Sequence, residues 1–142
     1  MPDAVEKPDP SLTYKIVIEL VSASDDPKEV NQALNNVARL INLHVSGGVP
    51  KKNMEVVVAI HGGATFTITD SKTHENTYKC PNPNLELYKE LAEAGVKLVV
   101  CGQSLLARNV DRATIIPEIK IATSMLTTVT TYQLKGFAYL KF

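Results

Sequence analysis

The sequence has no excess of charge of either sign and no long apolar run. Its 142 residues include 15 Lys and Arg against 15 Asp and Glu. The basic residues are scattered, so no net field favours nucleic acid or an anionic membrane surface. A spanning helix needs a run of about 18 or more apolar residues, and none occurs. We therefore expect a soluble protein with no nucleic-acid partner and no membrane partner.

Cysteine is also scarce. Cys80 and Cys101 are the only two cysteines, too few for a disulfide framework, and neither lies at a zinc-site spacing from histidine. The sequence also lacks the glycine patterns of nucleotide-binding loops. We expect no metal site and no cofactor. If the protein is exported, a single disulfide between the two cysteines is an alternative.

The first thirteen residues are polar and rich in proline. They lack periodicity and the apolar segment of a signal peptide, so we predict a flexible leader over residues 1–13 and one domain over residues 14–142. The predicted compartment is the cytoplasm. The periplasm is the alternative if an export signal has been removed, because a polar, proline-rich segment often follows such a cleavage site.

Five segments have the pattern of strands. Residues 14–21, 54–60 and 96–101 are β-branched and apolar, which is typical of strands covered on both faces of a parallel sheet. A short strand is predicted over residues 118–121, and the last over residues 137–142.

Helical patterns separate these strands. For the first helix, Asp26 is the predicted N-cap, Pro27 the first position and Gly47 and Gly48 the end. A short helix is compatible with the sequence after Cys101.

A further helix is predicted from an Asn82 cap to Gly95, with Leu87, Leu91 and Ala94 on its inner face. The last helix runs from a Thr123 or Ser124 cap to Lys135, with Met125 and Tyr132 in the core or at a subunit interface. Residues 65–80 are predicted to be a loop with a short helix near its start.

Strands that alternate with helices imply right-handed crossovers. We therefore predict an α/β protein: a three-layer α/β/α fold with a five-stranded, mainly parallel sheet.

The ends of the second and third strands carry the candidate chemistry. Ligands of open α/β sheets bind beyond the carboxyl ends of the strands, where this sequence has "HGGAT" and "CGQSL". A thiol at a strand end that begins a helical turn lies near unpaired backbone N–H groups, which favour the thiolate. Cys101 is therefore a candidate reactive thiol, although a free cysteine at a strand end often only packs. Arg108 could lie near the same rim.

Several stretches together resemble one family. "VKLVVCGQSLLARNVD", "VVVAIHGGAT", "NPNLELYKELAEAGV" and "LKGFAYLKF", with the opening strand and helix, resemble the DsrE/DsrF-like (YchN-like) family over roughly residues 14–142. In its sulfur-relay members, the cysteine at this strand end accepts and passes on a persulfide, and this position corresponds to Cys101. The resemblance implies a sulfur carrier with possible sulfurtransferase-like activity, a homo-oligomer (trimer or hexamer), and a sulfur donor or acceptor protein as partner.

A second interpretation remains open. In it, Cys101 is a structural thiol and the protein is a non-enzymatic, oligomeric module that binds a small ligand near His61. The candidate binding residues are His61, Gly62, Gly63, Gly102, Gln103 and Ser104.

Three further residues have alternative interpretations. His61 could accept a proton from Cys101 if the two strand ends are adjacent, or it could only satisfy a turn. Cys80 is either a resolving thiol for Cys101 or an incidental exposed cysteine. His74, like its neighbour Glu75, is expected to be a solvated loop residue.

Overall fold

All five strands of the sheet run parallel. The computed structural model describes residues 1–142, and the spatial order of the strands is β4-β3-β2-β1-β5. The strands are Tyr14–Leu20 (β1), Met54–Ile60 (β2), Lys97–Cys101 (β3), Lys120–Ala122 (β4) and Ala138–Lys141 (β5). The predicted fold class is confirmed, and the short fourth strand lies two residues later than its predicted start.

Five α-helices and three 3-10 helices connect the strands. The α-helices are Gln32–Ser46 (α1), Ser71–Tyr78 (α2), Leu85–Glu93 (α3), Gly102–Ala107 (α4) and Met125–Leu134 (α5). The 3-10 helices are Lys51–Asn53, Gly62–Thr67 and Arg112–Thr114. None of the helices combines the length and apolar character needed to cross a bilayer.

The strand order places the helices on both faces of the sheet. From β1 to β4 the chain advances in one direction, so its right-handed crossovers put α1, α3 and α4 on one face. The chain then returns to add β5 beside β1, and α5 covers the opposite face. Because side chains alternate along a strand, Ile18 and Val58 face the larger core of 19 buried residues, whereas Val17 and Val57 pack with Val129 of α5.

The first helix begins later than predicted. Its N-cap is Asn31, whose side chain accepts a hydrogen bond from the Ala33 N–H and donates to the Ser22 carbonyl at 2.8 Å. The Asp26 carboxylate caps only a local turn through the Lys28 N–H. The prediction of a start at Asp26 and Pro27 was therefore wrong, because the buried amide of Asn31 ties the helix start to the end of β1.

The start of α3 also differs from its prediction. Its N-cap is Asn84, which accepts a hydrogen bond from the Asn31 N–H at 2.7 Å. The predicted cap, Asn82, instead donates its side-chain amide to the carbonyls of Thr67 and Thr69. Leu91 is buried as predicted, but Ala94 is exposed and Tyr88 takes the inner position.

Most of the stretch predicted as a loop is helical. Asp70 caps α2 by accepting from the Thr73 N–H at 2.8 Å. His74 was wrongly expected to be solvated: it is buried, with its Nδ1 2.8 Å from the Cys80 carbonyl oxygen. Glu75 is exposed, as expected.

The two ends of the chain follow their predictions more closely. Ser124 caps α5 through the Leu126 N–H, and Met125 and Tyr132 are partly buried against the second core. Residues 1–13 contain no helix or strand, and Pro8 lies close to Gly47 at the end of α1. Their flexibility stays a prediction.

Leu34 tests the packing of α1 against the sheet. It is fully buried, whereas Leu43 of the same helix is 59% exposed. We expect Leu34→Ala to lower the free energy of unfolding by about 2–5 kcal/mol and Leu43→Ala by less than about 0.5 kcal/mol. Urea denaturation at one protein concentration measures both, and equal losses would contradict the described packing.

Candidate functional site

Cys101 lies where a strand, a helix and a neighbouring strand meet. It is the last residue of β3, the N-cap of α4 and the partner of Ala122 in β4. The next residue, Gly102, lies so close to β4 that a Cβ there would be 2.8 Å from the Ala122 carbonyl oxygen. Only glycine permits this approach, which holds the end of β4 and the start of α5 beside the thiol.

Hydrogen-bond donors from two helix starts surround the sulfur. Burial is the largest single influence on the Cys101 thiol and would raise its pKa, because it disfavours the charged form. The backbone N–H groups of Met125 and Ser104 and the hydroxyls of Ser104 and Ser124 oppose it, and together they hold the pKa of Cys101 below its ordinary value. The Sγ of Cys101 lies 3.9 Å from the Oγ of Ser124. The arrangement therefore favours a thiolate.

Ser104 connects this thiol to the turn after β2. Its hydroxyl oxygen accepts a hydrogen bond from the Gly62 N–H at 3.4 Å, and the residue is buried. Gly62 has a φ of +59°, and a Cβ there would lie 2.6 Å from the Cγ2 of Val21. The left-handed conformation and the lack of space both require glycine. Gly63 follows in the 3-10 helix, so the structure brings both glycines of the turn next to the Cys101 helix.

His61 lies at the end of β2 and is held by a carboxylate from β1. Ile60 pairs with Val100, so His61 and Cys101 are the next residues on adjacent strands, as the proton-transfer hypothesis required. However, the Nε2 of His61 lies 2.8 Å from the Oε1 of Glu19, and Cys101 makes no hydrogen bond with His61. The imidazole is thus held by the carboxylate on β1, and proton transfer from Cys101 to His61 stays a hypothesis.

Glu19 is the centre of a small polar cluster on β1, two strands away from Cys101. Burial would raise the pKa of its carboxyl group, but hydrogen bonds from Tyr139 and His61 and the charges of His61 and Lys141 outweigh it, and the pKa lies below its ordinary value. The hydrogen bond between Tyr139 and Glu19 also raises the pKa of the Tyr139 hydroxyl. The cluster joins β2 and β5 to β1 at the carboxyl edge of the sheet.

A groove of about 390 Å³ opens beside α4 and the end of β4, and its lining begins at Gly102, the residue after Cys101. Gly102 and Gln103 line one side, and Ala122 and Thr123 line the other. Gln103 is exposed and donates its side-chain amide to the Thr123 carbonyl at 3.4 Å. The groove gives a molecule a place beside the chain segments that flank the thiol.

Cys80 is buried, which contradicts the expectation of an exposed cysteine. Its Sγ lies 3.6 Å from the Pro27 carbonyl oxygen and 3.9 Å from the Nδ1 of His74. Cys80 and Cys101 are both free thiols, and the role of Cys80 as a resolving thiol stays a prediction. No group of three or more His, Cys, Asp or Glu side chains is arranged to hold a metal ion.

Two contributors to the site were not predicted from the sequence. Ser124 was recognised only as a helix cap, yet its hydroxyl also lies against the thiol. Glu19 had a usable signal, since it is the one acidic residue in the otherwise apolar core of the first strand. Arg108, expected near the Cys101 rim, instead follows the far end of α4, with its guanidinium 5.8 Å from the centre of the Phe66 ring.

Comparison with known proteins gives the fold and the family. The structure of MTH1491, a protein of unknown function from Methanobacterium thermoautotrophicum, has a TM-score of 0.67 and 16% sequence identity, covering 91% of this chain and 99% of that chain. The crystal structure of the ychN protein from E. coli has a TM-score of 0.66 and 19% identity, with the same coverage. No curated protein matches the sequence.

The sequence profile of the DsrE/DsrF-like family matches residues 15–142. This range includes β1 from its second residue, the other four strands, the Cys101 turn and the polar cluster around Glu19. The resemblance seen in the sequence is therefore confirmed, and the chain belongs to the DsrE/DsrF-like family.

Proposed function

We propose that this protein is a sulfur carrier that holds a persulfide on Cys101. The observation that carries the proposal is the set of donors that converge on the sulfur from the starts of α4 and α5. A thiolate is the form of cysteine that attacks sulfur, and it forms readily where N–H and O–H donors compensate for its burial. Membership in a family with sulfur-relay members supports the same assignment.

Transfer of a sulfur atom to Cys101 requires no second catalytic group from the protein. The Cys101 thiolate attacks the outer sulfur of a donor persulfide, the sulfur–sulfur bond of the donor breaks, and the donor leaves as a thiolate. The new persulfide on Cys101 is itself ionised more readily than a thiol. The donors that face the thiolate are placed to stabilise that anion until an acceptor thiolate removes the outer sulfur by the same exchange.

The groove beside Gly102 and Ala122 is the proposed approach for the sulfur donor or acceptor. Cys101 is only 6% exposed, so a partner must reach it through a defined opening. Leu106 and Ile121, which line this groove, are 77% and 39% exposed. These apolar side chains favour a partner protein that covers them while its own thiol enters.

We also propose that identical chains assemble, as a trimer or hexamer. Only α5 covers the second face of the sheet, and Leu126 and Leu134 of this helix are 68% and 90% exposed. Tyr139 and Leu140 on the edge strand β5 are also exposed. A monomer would leave these apolar groups in water, and association would bury them.

A binding module with Cys101 as a structural thiol is the second candidate. The observation that favours it is the low exposure of Cys101, since buried free cysteines commonly only pack. The two candidates differ in whether the native thiol reacts.

Persulfide loading tests the carrier assignment directly. We expect native protein incubated with glutathione persulfide to gain one sulfur atom in intact-mass spectrometry, because the Cys101 thiolate attacks the donor. The Cys80→Ser variant should gain the same sulfur, and Cys101→Ser should gain none. If the native protein gains no sulfur and its thiol resists alkylation until it is unfolded, the binding module is the better account.

The pH dependence of alkylation tests the electrostatics of the site. In a Cys80→Ser background, the rate of reaction with iodoacetamide should rise through a midpoint below that of a free thiol, because the pKa of Cys101 is lowered. Ser124→Ala removes one donor and should raise this midpoint by up to about one pH unit. Ser124→Thr keeps the hydroxyl and serves as the matched control, with a midpoint near that of the parent. Identical midpoints for the Ala and Thr variants would show that the hydroxyl does not stabilise the thiolate.

Assembly is tested by light scattering after size-exclusion chromatography. We expect a molar mass of three or six chains and a shift toward smaller species for Leu126→Glu, which puts a charge on an apolar contact. Gln133→Glu, on the same helix at a residue that is already polar and exposed, is the control. A monomer at every concentration would refute the assembly proposal.

A further inference from the structure

A second cavity lies at the far end of α4 from Cys101. Its volume is about 330 Å³, and its wall comes from the Gly62–Thr67 3-10 helix, α2 and the segment after α4. Five threonines line it, together with Phe66, His74, Tyr78 and Arg108. Since α4 has six residues, its axis spans only about 9 Å between the thiol and this cavity. Cys101 is not among the lining residues.

One buried hydroxyl in the lining has no partner. Thr65 is completely buried, and its Oγ1 is the only buried side-chain oxygen or nitrogen without a hydrogen bond. Buried polar groups are nearly always paired, since leaving one unpaired destabilises the fold. A valine at this position would keep the shape without the unpaired oxygen. The unpaired hydroxyl in the lining of the cavity therefore suggests a ligand with a polar group that would pair with it.

The cavity also holds a cation without an ionic partner. The guanidinium of Arg108 lies 5.8 Å from the centre of the Phe66 ring, and the only ion pair of the structure is that of His61 with Glu19. The one carboxylate in the lining, Asp111, accepts from the Ala113 N–H at 2.9 Å. Arg108 therefore has N–H donors available for an anionic group, in the planar geometry that carboxylates and other oxyanions match.

Aromatic side chains form the rest of the wall. The rings of Phe66 and Tyr78 meet edge to face with centroids 6.4 Å apart, and the Tyr78 ring lies 4.7 Å from that of His74. The Nδ1 of His74 faces a carbonyl oxygen, so we assign its proton to Nδ1, which leaves Nε2 without a partner. These surfaces suit a flat, apolar body attached to the anionic group.

We propose that this cavity binds a small organic anion, with its charged group on Arg108 and the Thr65 hydroxyl and its body against Phe66 and Tyr78. The site is separate from the proposed persulfide on Cys101. Its ligand would bind equally to protein whose thiol has been removed, so the failure of either proposal leaves the other intact.

Titration followed by amide NMR shifts tests the site, with benzoate as the probe. We expect saturable shifts at residues 65–78 and 108–114. Benzamide has the same shape without the charge and should bind at least about tenfold more weakly, because Arg108 recognises the anion. Inorganic sulfate should shift the same residues. Cys101→Ser should bind benzoate like the parent.

Two variants separate ligand recognition from a structural role. Arg108→Gln should lower the affinity for benzoate about tenfold or more. Arg39→Gln, on the exposed side of α1, should leave this affinity unchanged. Thr65→Val should lower the affinity for benzoate, because the ligand loses a hydrogen-bond partner. The midpoint of urea denaturation should stay equal or rise, because the substitution removes an unpaired buried oxygen. A purely structural threonine would lose stability instead.

Three results would overturn the proposal. The first is the absence of saturable shifts with both benzoate and sulfate. The second is equal binding of benzamide and benzoate. The third is a set of shifts that Arg108→Gln and Thr65→Val do not change.

Discussion

The parallel pairing of β3 with β4 determines the chemistry at Cys101. Because Cys101 pairs with Ala122, the chain that leaves β4 passes directly beside the sulfur before it enters α5. The close approach at Gly102 keeps the two backbones in contact. The starts of two helices therefore meet at one thiol, although the residues that supply them are about twenty positions apart in the sequence. Without this pairing, the Ser124 hydroxyl and the Met125 N–H would not be held next to Cys101.

Burial and activation oppose each other at this thiol. A cysteine that is 6% exposed would be expected to hold its proton, since a thiolate loses its hydration on burial. Here the lost water is replaced by N–H and O–H donors that are already oriented by α4, α5 and the Gly62 turn. Fixed donors stabilise an anion without reorganising, as in other sites where negative charge develops. The low exposure of Cys101 would also shield the proposed persulfide from thiols in solution between its loading and its transfer.

Much of the fold, but less of the site, could be predicted from the sequence. The buried strands and the glycines that end α1 and α3 follow from local pattern, as does a cap at Thr123 or Ser124, because neighbouring residues decide them. The true starts of α1 and α3 depend on the hydrogen bond between Asn31 and Asn84, residues 53 positions apart, so no local pattern reveals them. The partner of His61 also depends on a residue far away in the sequence. Adjacent strand ends could be inferred, but the Glu19 carboxylate that takes the imidazole could not.

Cys101 and Thr65 both depart from the rule that buried polar groups are neutral and paired. The pKa of the buried Cys101 thiol lies below its ordinary value, and Thr65 leaves a hydroxyl unpaired in the wall of a cavity. Natural sequences break such rules at functional positions, where local stability is reduced in favour of binding or chemistry. The two positions lie near opposite ends of α4, with Cys101 at its N-cap and Arg108, which lines the cavity with Thr65, at its C-cap. The groups that face the sulfur and the groups proposed to face the anion are different residues, so either position can act without the other.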